Sequence, residues 1–110
     1  MLNNPQASYV QRGEAIDYTN TGVEDIKGND VVDLDTRIGI AGGGIPIGAT
    51  GSAHVIGVYD VPAVNTEAFT VGQAVYWDGT SLSSVNTGTP AGWVVQTKAL
   101  AATVARVKIG

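Results

Sequence analysis

Residues 41–55 read AGGGIPIGATGSAHV, and the fold turns on what this stretch becomes. From Gly43 to Thr50 the letters GGIPIGAT differ at one position from G-x-x-x-x-G-K-[ST], the loop that cradles nucleotide phosphates. Such a loop needs a strand before it and a helix after it, so that free N–H groups and a lysine ammonium meet the phosphates. Here Ala49 occupies the lysine position, and Pro46 removes one backbone donor from mid-loop. The run HVIGVYDV beginning at His54 is β-branched and alternating, which predicts a strand. The stretch therefore reads as a glycine-rich bend between two strands.

The same rhythm runs outward in both directions. Ala15–Thr19 (AIDYT) alternates and stops at Asn20-Thr21-Gly22. Val31–Leu34 and Arg37–Ala41 are two further short runs. Ser52–Val61 (SAHVIGVYDV) is the longest, ended by Pro62, which has no N–H to give a ladder. Ala74–Trp77 meets Asp78-Gly79, the hairpin signal of a type I′ turn, and returns as TSLSS. Trp93–Gln96 and Thr103–Ile109 close the chain, the latter with Val104, Arg106 and Lys108 on one face. Two places allow a helical turn, one within Asp60–Val71 and one at Lys98–Thr103, both too short to stand alone. The fold class is all-β: a small sandwich or barrel of about seven to nine short strands, with at most one or two helical turns. Residues 1–13, polar and broken by Pro5, read as an N-terminal arm, and residues 14–110 as a single β domain.

Composition narrows the function. Charged residues are 15% of the 110, below the usual ~25%, so part of the surface is expected to be covered by partners. Ten acids outnumber six scattered bases, which leaves no stripe to neutralise phosphates, and no nucleic-acid partner is expected. No cysteine is present, which removes disulfides and thiol chemistry. The N-terminal residues lack the apolar segment of a signal peptide, and no run approaches the ~20 apolar residues of a membrane helix. A soluble protein without a membrane partner is expected.

Candidate chemistry is thin. His54 is the single histidine; Asp60, six residues along the same predicted strand, would lie about 20 Å away. Asp30, Asp33 and Asp35 have the spacing D-x-x-D-x-D, not that of a calcium loop, and read as a solvated strand end. Ser81, Ser83 and Ser84 sit in the return arm of a hairpin, with no G-x-S-x-G elbow. Trp77, Trp93 and Tyr76 read as core or interface aromatics. No catalytic residue, cofactor or metal is assigned, and no enzyme activity is expected.

Taken in order, YVQRGEAIDYTNTG (9–22), IGATGSAHVIGVYDVPAVNTEAFTVGQAVYWDGTSLSS (47–84), GWVV (92–95) and VARVKI (104–109) resemble the small phage capsid cement, or head-decoration, proteins. The resemblance spans roughly Tyr9 to Ile109. It implies a compact β fold on the outer capsid surface of the virion, made in the host cytoplasm and bridging subunits of the major capsid protein. Self-association as a trimer or dimer would suit that role. The expected interface residues are Leu2, Pro5, Tyr9, Val10, Gln11, Ile45, Pro46 and Trp77. Two rivals remain open. One is a nucleotide-binding protein on the glycine loop, in keeping with a RecA/RadA-type recombinase label carried in that family. The other is a virion-displayed carbohydrate-binding β module with Trp77 or Trp93 as its stacking platform.

Overall fold

The computed structural model describes residues 5–110. Nine strands and no helix occur among them: β1 (Ala15–Thr19), β2 (Val31–Asp33), β3 (Ile38–Ala41), β4 (Thr50–His54), β5 (Gly57–Pro62), β6 (Ala74–Trp77), β7 (Leu82–Ser83), β8 (Thr89–Val94) and β9 (Val104–Ile109). They form two antiparallel sheets, one of four strands in the order β1-β4-β3-β2 and one of five in the order β5-β9-β8-β6-β7. The all-β expectation and its strand number are borne out. The glycine-rich stretch is indeed a bend, joining β3 to β4, which pair antiparallel at Ile40↔His54 and Ala41↔Ala53.

The long run Ser52–Val61 is not one strand. It breaks at Val55-Ile56, so that β4 belongs to the first sheet and β5 to the second. Gly57 makes the corner with φ +141°, a conformation side-chain-bearing residues rarely adopt. Residues before the corner build one sheet and residues after it build the other.

Alternation explains which side chains meet. In β9, Ala105, Val107 and Ile109 point inward and are buried, while Arg106 and Lys108 point outward. They join Val61, Phe69, Val75, Trp77, Leu82, Ala91 and Val94 in one core, to which the first sheet adds Ile38 and Ile40 of β3. Fully burying each large member stabilises by about 1.5–3 kcal/mol. The main contact between the sheets is β3 against β8. On the far side of β4, β1 contributes nothing to that core; Ile16, Asp17 and Thr19 are all exposed. The radius of gyration, 16.1 Å, exceeds the ~13 Å of a rounded domain this long.

Three local readings are corrected. The Asp78-Gly79 hairpin is not a two-residue type I′ turn, because only Gly79 has positive φ. Its loop spans residues 78–81, closed by Asp78 N–H to Ser81 C=O (3.0 Å). The Asp78 carboxylate accepts the N–H groups of Thr80 and Ser81, each at 2.8 Å, an Asx-type arrangement that needs no second left-handed residue. Neither stretch that allowed a helical turn is helical. Instead they hold each other: Phe69 and Lys98 exchange N–H···O=C bonds of 3.1 and 2.9 Å, a β-bridge between the two segments.

β8 also carries an extra residue. Ala74 pairs with Trp93 and Tyr76 with Pro90, so three steps of β8 face two of β6. Gly92 sits in this bulge at φ +95°, and the bulge turns Trp93 outward although strict alternation from buried Ala91 would point it in.

Candidate functional site

The glycine loop is the first place to look for a site, and five of its backbone donors are already used. Gly42 N–H bonds Ser52 C=O, Ile45 N–H bonds Ile26 C=O, Gly48 N–H bonds Asn20 C=O and Ala49 N–H bonds Pro46 C=O, all at 2.8–2.9 Å. Ile47 N–H bonds the Asp25 carboxylate at 3.0 Å, which puts a negative charge where a phosphate would have to sit. Buried Asn20 ties the loop down from beneath, its amide donating to the carbonyls of Ile45 (2.9 Å) and Glu24 (2.8 Å). The loop is anchored by hydrogen bonds to residues 20–26 and to β4, and its geometry is not a phosphate cradle.

His54 lies on β4 over Gly42, where an added Cβ would come within 3.0 Å of Nε2. Asp60 is in the other sheet and is held by Arg106, which faces it across β5 and β9 with bonds of 2.9 and 3.2 Å. Asp33 caps the N–H of Asp35 (2.8 Å) and accepts from the Thr89 hydroxyl (2.9 and 3.0 Å), whereas Asp30 accepts the Lys27 N–H. Among the described residues no three His, Asp or Glu side chains converge as metal ligands.

The carboxylates have structural tasks, and their ionisation records this. Asp60 is held below its ordinary 3.8 chiefly by the Arg106 hydrogen bond. The Thr80 and Ser81 N–H groups lower Asp78, and the Ser84 hydroxyl and N–H lower Glu67 from 4.5. Each binds its proton less readily folded than unfolded, so stability from this source is present above the ordinary values and is lost as pH falls through the depressed ones. A thermal-unfolding series is expected to be flat from neutrality to about pH 5 and to decline below pH ~4. The decline is modest because these groups face solvent; a midpoint that rises on acidification contradicts the assignment.

What remains is surface. Pro5, Tyr9, Val10 and Gln11 lie in residues 5–13, outside any strand and exposed throughout, with Tyr9 at 84% and Val10 at 85%. Leu2 lies outside the described residues. Pro46 is exposed in the glycine bend. Two residues expected at an interface are committed elsewhere. Ile45 is fully buried, packed on Gly51, where an added Cβ would fall 2.6 Å from its Cγ1. Trp77 shares the inward face of β6 with Val75 and is 8% exposed, so neither side chain offers appreciable surface, and a stacking platform would rest on Trp93.

Sequence reasoning missed a surface on the second sheet. Across its outer face, Val58, Lys108, Trp93 and Ala74 form one register row. Val58 and Trp93 are 54% and 42% exposed. Gly92 ahead of Trp93 was the available signal, since a mid-strand glycine marks a bulge and a bulge reverses facing.

No curated protein and no solved structure gives a significant match to the chain. A family model does, over nearly its whole length. Exposed apolar side chains in residues 5–13 and on a sheet face, beside a glycine bend tied down to its neighbours, suit a molecule that works by contact. The model of the phage cement proteins matches residues 10–109, and the chain belongs to that family.

Proposed function

We propose that this protein binds the outer surface of a phage head and bridges neighbouring major-capsid subunits, through adhesion and without a chemical step. Membership of the cement family supports the capsid role; the observation that carries the finer reading is the arm. Residues 5–13 expose Tyr9 and Val10 almost fully and pair with no strand of their own chain among the described residues. Chain that gains so little from its own domain is suited to order on a partner, where an extended segment adds main-chain hydrogen bonds to a sheet edge.

Burial of apolar surface contributes about 25 cal/mol per Å² before the costs of association are subtracted. One such contact is weak. A dimer or trimer engaging several coat subunits would multiply it through effective concentration. Deleting residues 1–11 is expected to leave the melting temperature within a few degrees of the full chain and to abolish binding to undecorated heads in co-sedimentation. Undiminished binding by the truncated chain overturns the arm's role.

A further inference from the structure

We infer that the open edge of β1 receives an extended, basic segment of a coat subunit as an added strand. The inference rests on the cement reading and concerns a different element from the arm: the arm supplies chain to a partner, whereas β1 accepts it.

The ladder shows which groups are open. Val55 N–H bonds Glu14 C=O and Asn20 N–H bonds Ala49 C=O, each at 2.9 Å, at the two ends of the β1–β4 register. Antiparallel pairing alternates, so Glu14, Ile16, Tyr18 and Asn20 turn their backbone groups toward β4. Ala15, Asp17 and Thr19 turn theirs to the opposite side, where no strand of the described residues pairs. The Gln11 carboxamide approaches one of these groups, 3.5 Å from the Ala15 carbonyl.

The other sheet edges are short or guarded. β2 has three residues and β7 two, and β5 ends in Pro62. β1 offers five residues with neither proline nor bulge, on a part of the sheet that the core does not reach. An edge of this kind is a template for another chain.

Charge selects the occupant. Residues 14–54 carry seven Asp and Glu side chains against Lys27 and Arg37, whereas residues 55–110 carry three acids and three bases. Pairing two copies edge to edge brings two acidic sheets together, and symmetric pairing centred on the strand sets Asp17 against Asp17, a destabilising arrangement. A strand bearing Lys or Arg gains from the same field, which also steers its approach.

Asp17→Pro tests the edge directly. It removes an outward N–H while the Ile16 and Tyr18 bonds to β4 remain, and proline is tolerated on an edge strand. The variant is expected to melt near the parent and to bind undecorated heads about tenfold more weakly than Asp17→Asn, which loses the same charge and keeps the N–H. Parent binding is expected to weaken as salt rises. Unchanged binding by the folded variant overturns the inference. Should the variant not fold, amide exchange of the parent on heads decides: slowing at Ala15, Asp17 and Thr19 supports the added strand, and no slowing overturns it. A free parent that sediments as a dimer, with Asp17→Pro monomeric, assigns the edge to a second copy and also overturns it. Heads bound through the arm but indifferent to Asp17→Pro sink the edge alone; a parent that binds no heads sinks the cement reading with it.

Discussion

Gly92→Ala is expected to cost at least ~3 kcal/mol, or to prevent folding outright. Two effects combine at this residue. Its φ of +95° is one that an L side chain adopts only with strain. A Cβ there would also lie well inside contact distance of the Lys108 carbonyl oxygen, 2.9 Å from its carbonyl carbon and 3.2 Å from Ile109 Cα. These are backbone atoms of β9, the strand between β5 and β8, and they are held by the Trp93↔Lys108 and Val94↔Val107 pairings. Relief would require moving that strand, whose inward side chains Val107 and Ile109 belong to the core. Domains of this size are stable by only about 5–15 kcal/mol, so the loss is a large share. Urea unfolding measures it, with Gly43→Ala as the control, since a Cβ at Gly43 meets nothing within 4 Å. A Gly92→Ala midpoint close to the parent's would show that β8 and β9 can separate without penalty.

The second large effect is at Lys98. Its side chain is buried in a chain that is otherwise sparing with charge. The ammonium donates to the carbonyls of Glu67 (2.6 Å), Ala99 (3.0 Å) and Leu100 (3.2 Å), and lies 5.1 Å from the centre of the Phe69 ring. It thus fastens the segment before β6 to the segment before β9, beside the Phe69–Lys98 bridge. Lys98→Met keeps most of the apolar stem and removes the donors, leaving carbonyls short of a partner in a largely dry place. A loss of about 2–4 kcal/mol is expected, from hydrogen bonds to a charged group and the lost contact with the ring. Lys98→Arg retains a cation but not its compact shape, and should recover only part. If Lys98→Met proves neutral in urea unfolding, the ammonium is not what fastens the two segments.

Much of the fold was legible because strand signals are local. β1 and β6 fall at Ala15–Thr19 and Ala74–Trp77 as read, since period-two patterning and a turn signal bound each one. The glycine stretch was legible for the same reason: the β-branched run after it decided against a helix. What escaped was set by distant partners. Nothing in SAHVIGVYDV announces that its two halves join different sheets, beyond one glycine at the corner. The segments around Phe69 and Lys98 have helix-tolerant composition, but each satisfies its backbone on the other, a pairing of residues 29 apart in sequence.

The site was less legible than the fold, and the two tryptophans show why. Both were read as core or interface aromatics; Trp77 is in the core and Trp93 is on the surface. Composition cannot separate them, whereas facing can, and facing depends on counting through the bulge at Gly92. Ile45 misled in a similar way. In a bend full of glycine an isoleucine reads as protruding, yet Gly51 opens the space into which it folds.

Each sheet is made from one unbroken run of chain, meeting at a single corner near Ile56 and Gly57. One crossover within the gene at that point would therefore exchange an entire face while leaving the other's strand pairings untouched. The seam, made by Val31, Ile38 and Ile40 against the core and by the Thr89 hydroxyl on Asp33, would have to be matched. A lineage fitting itself to changing shells could replace its acidic half, or its Trp93-bearing half, in one recombination event rather than residue by residue.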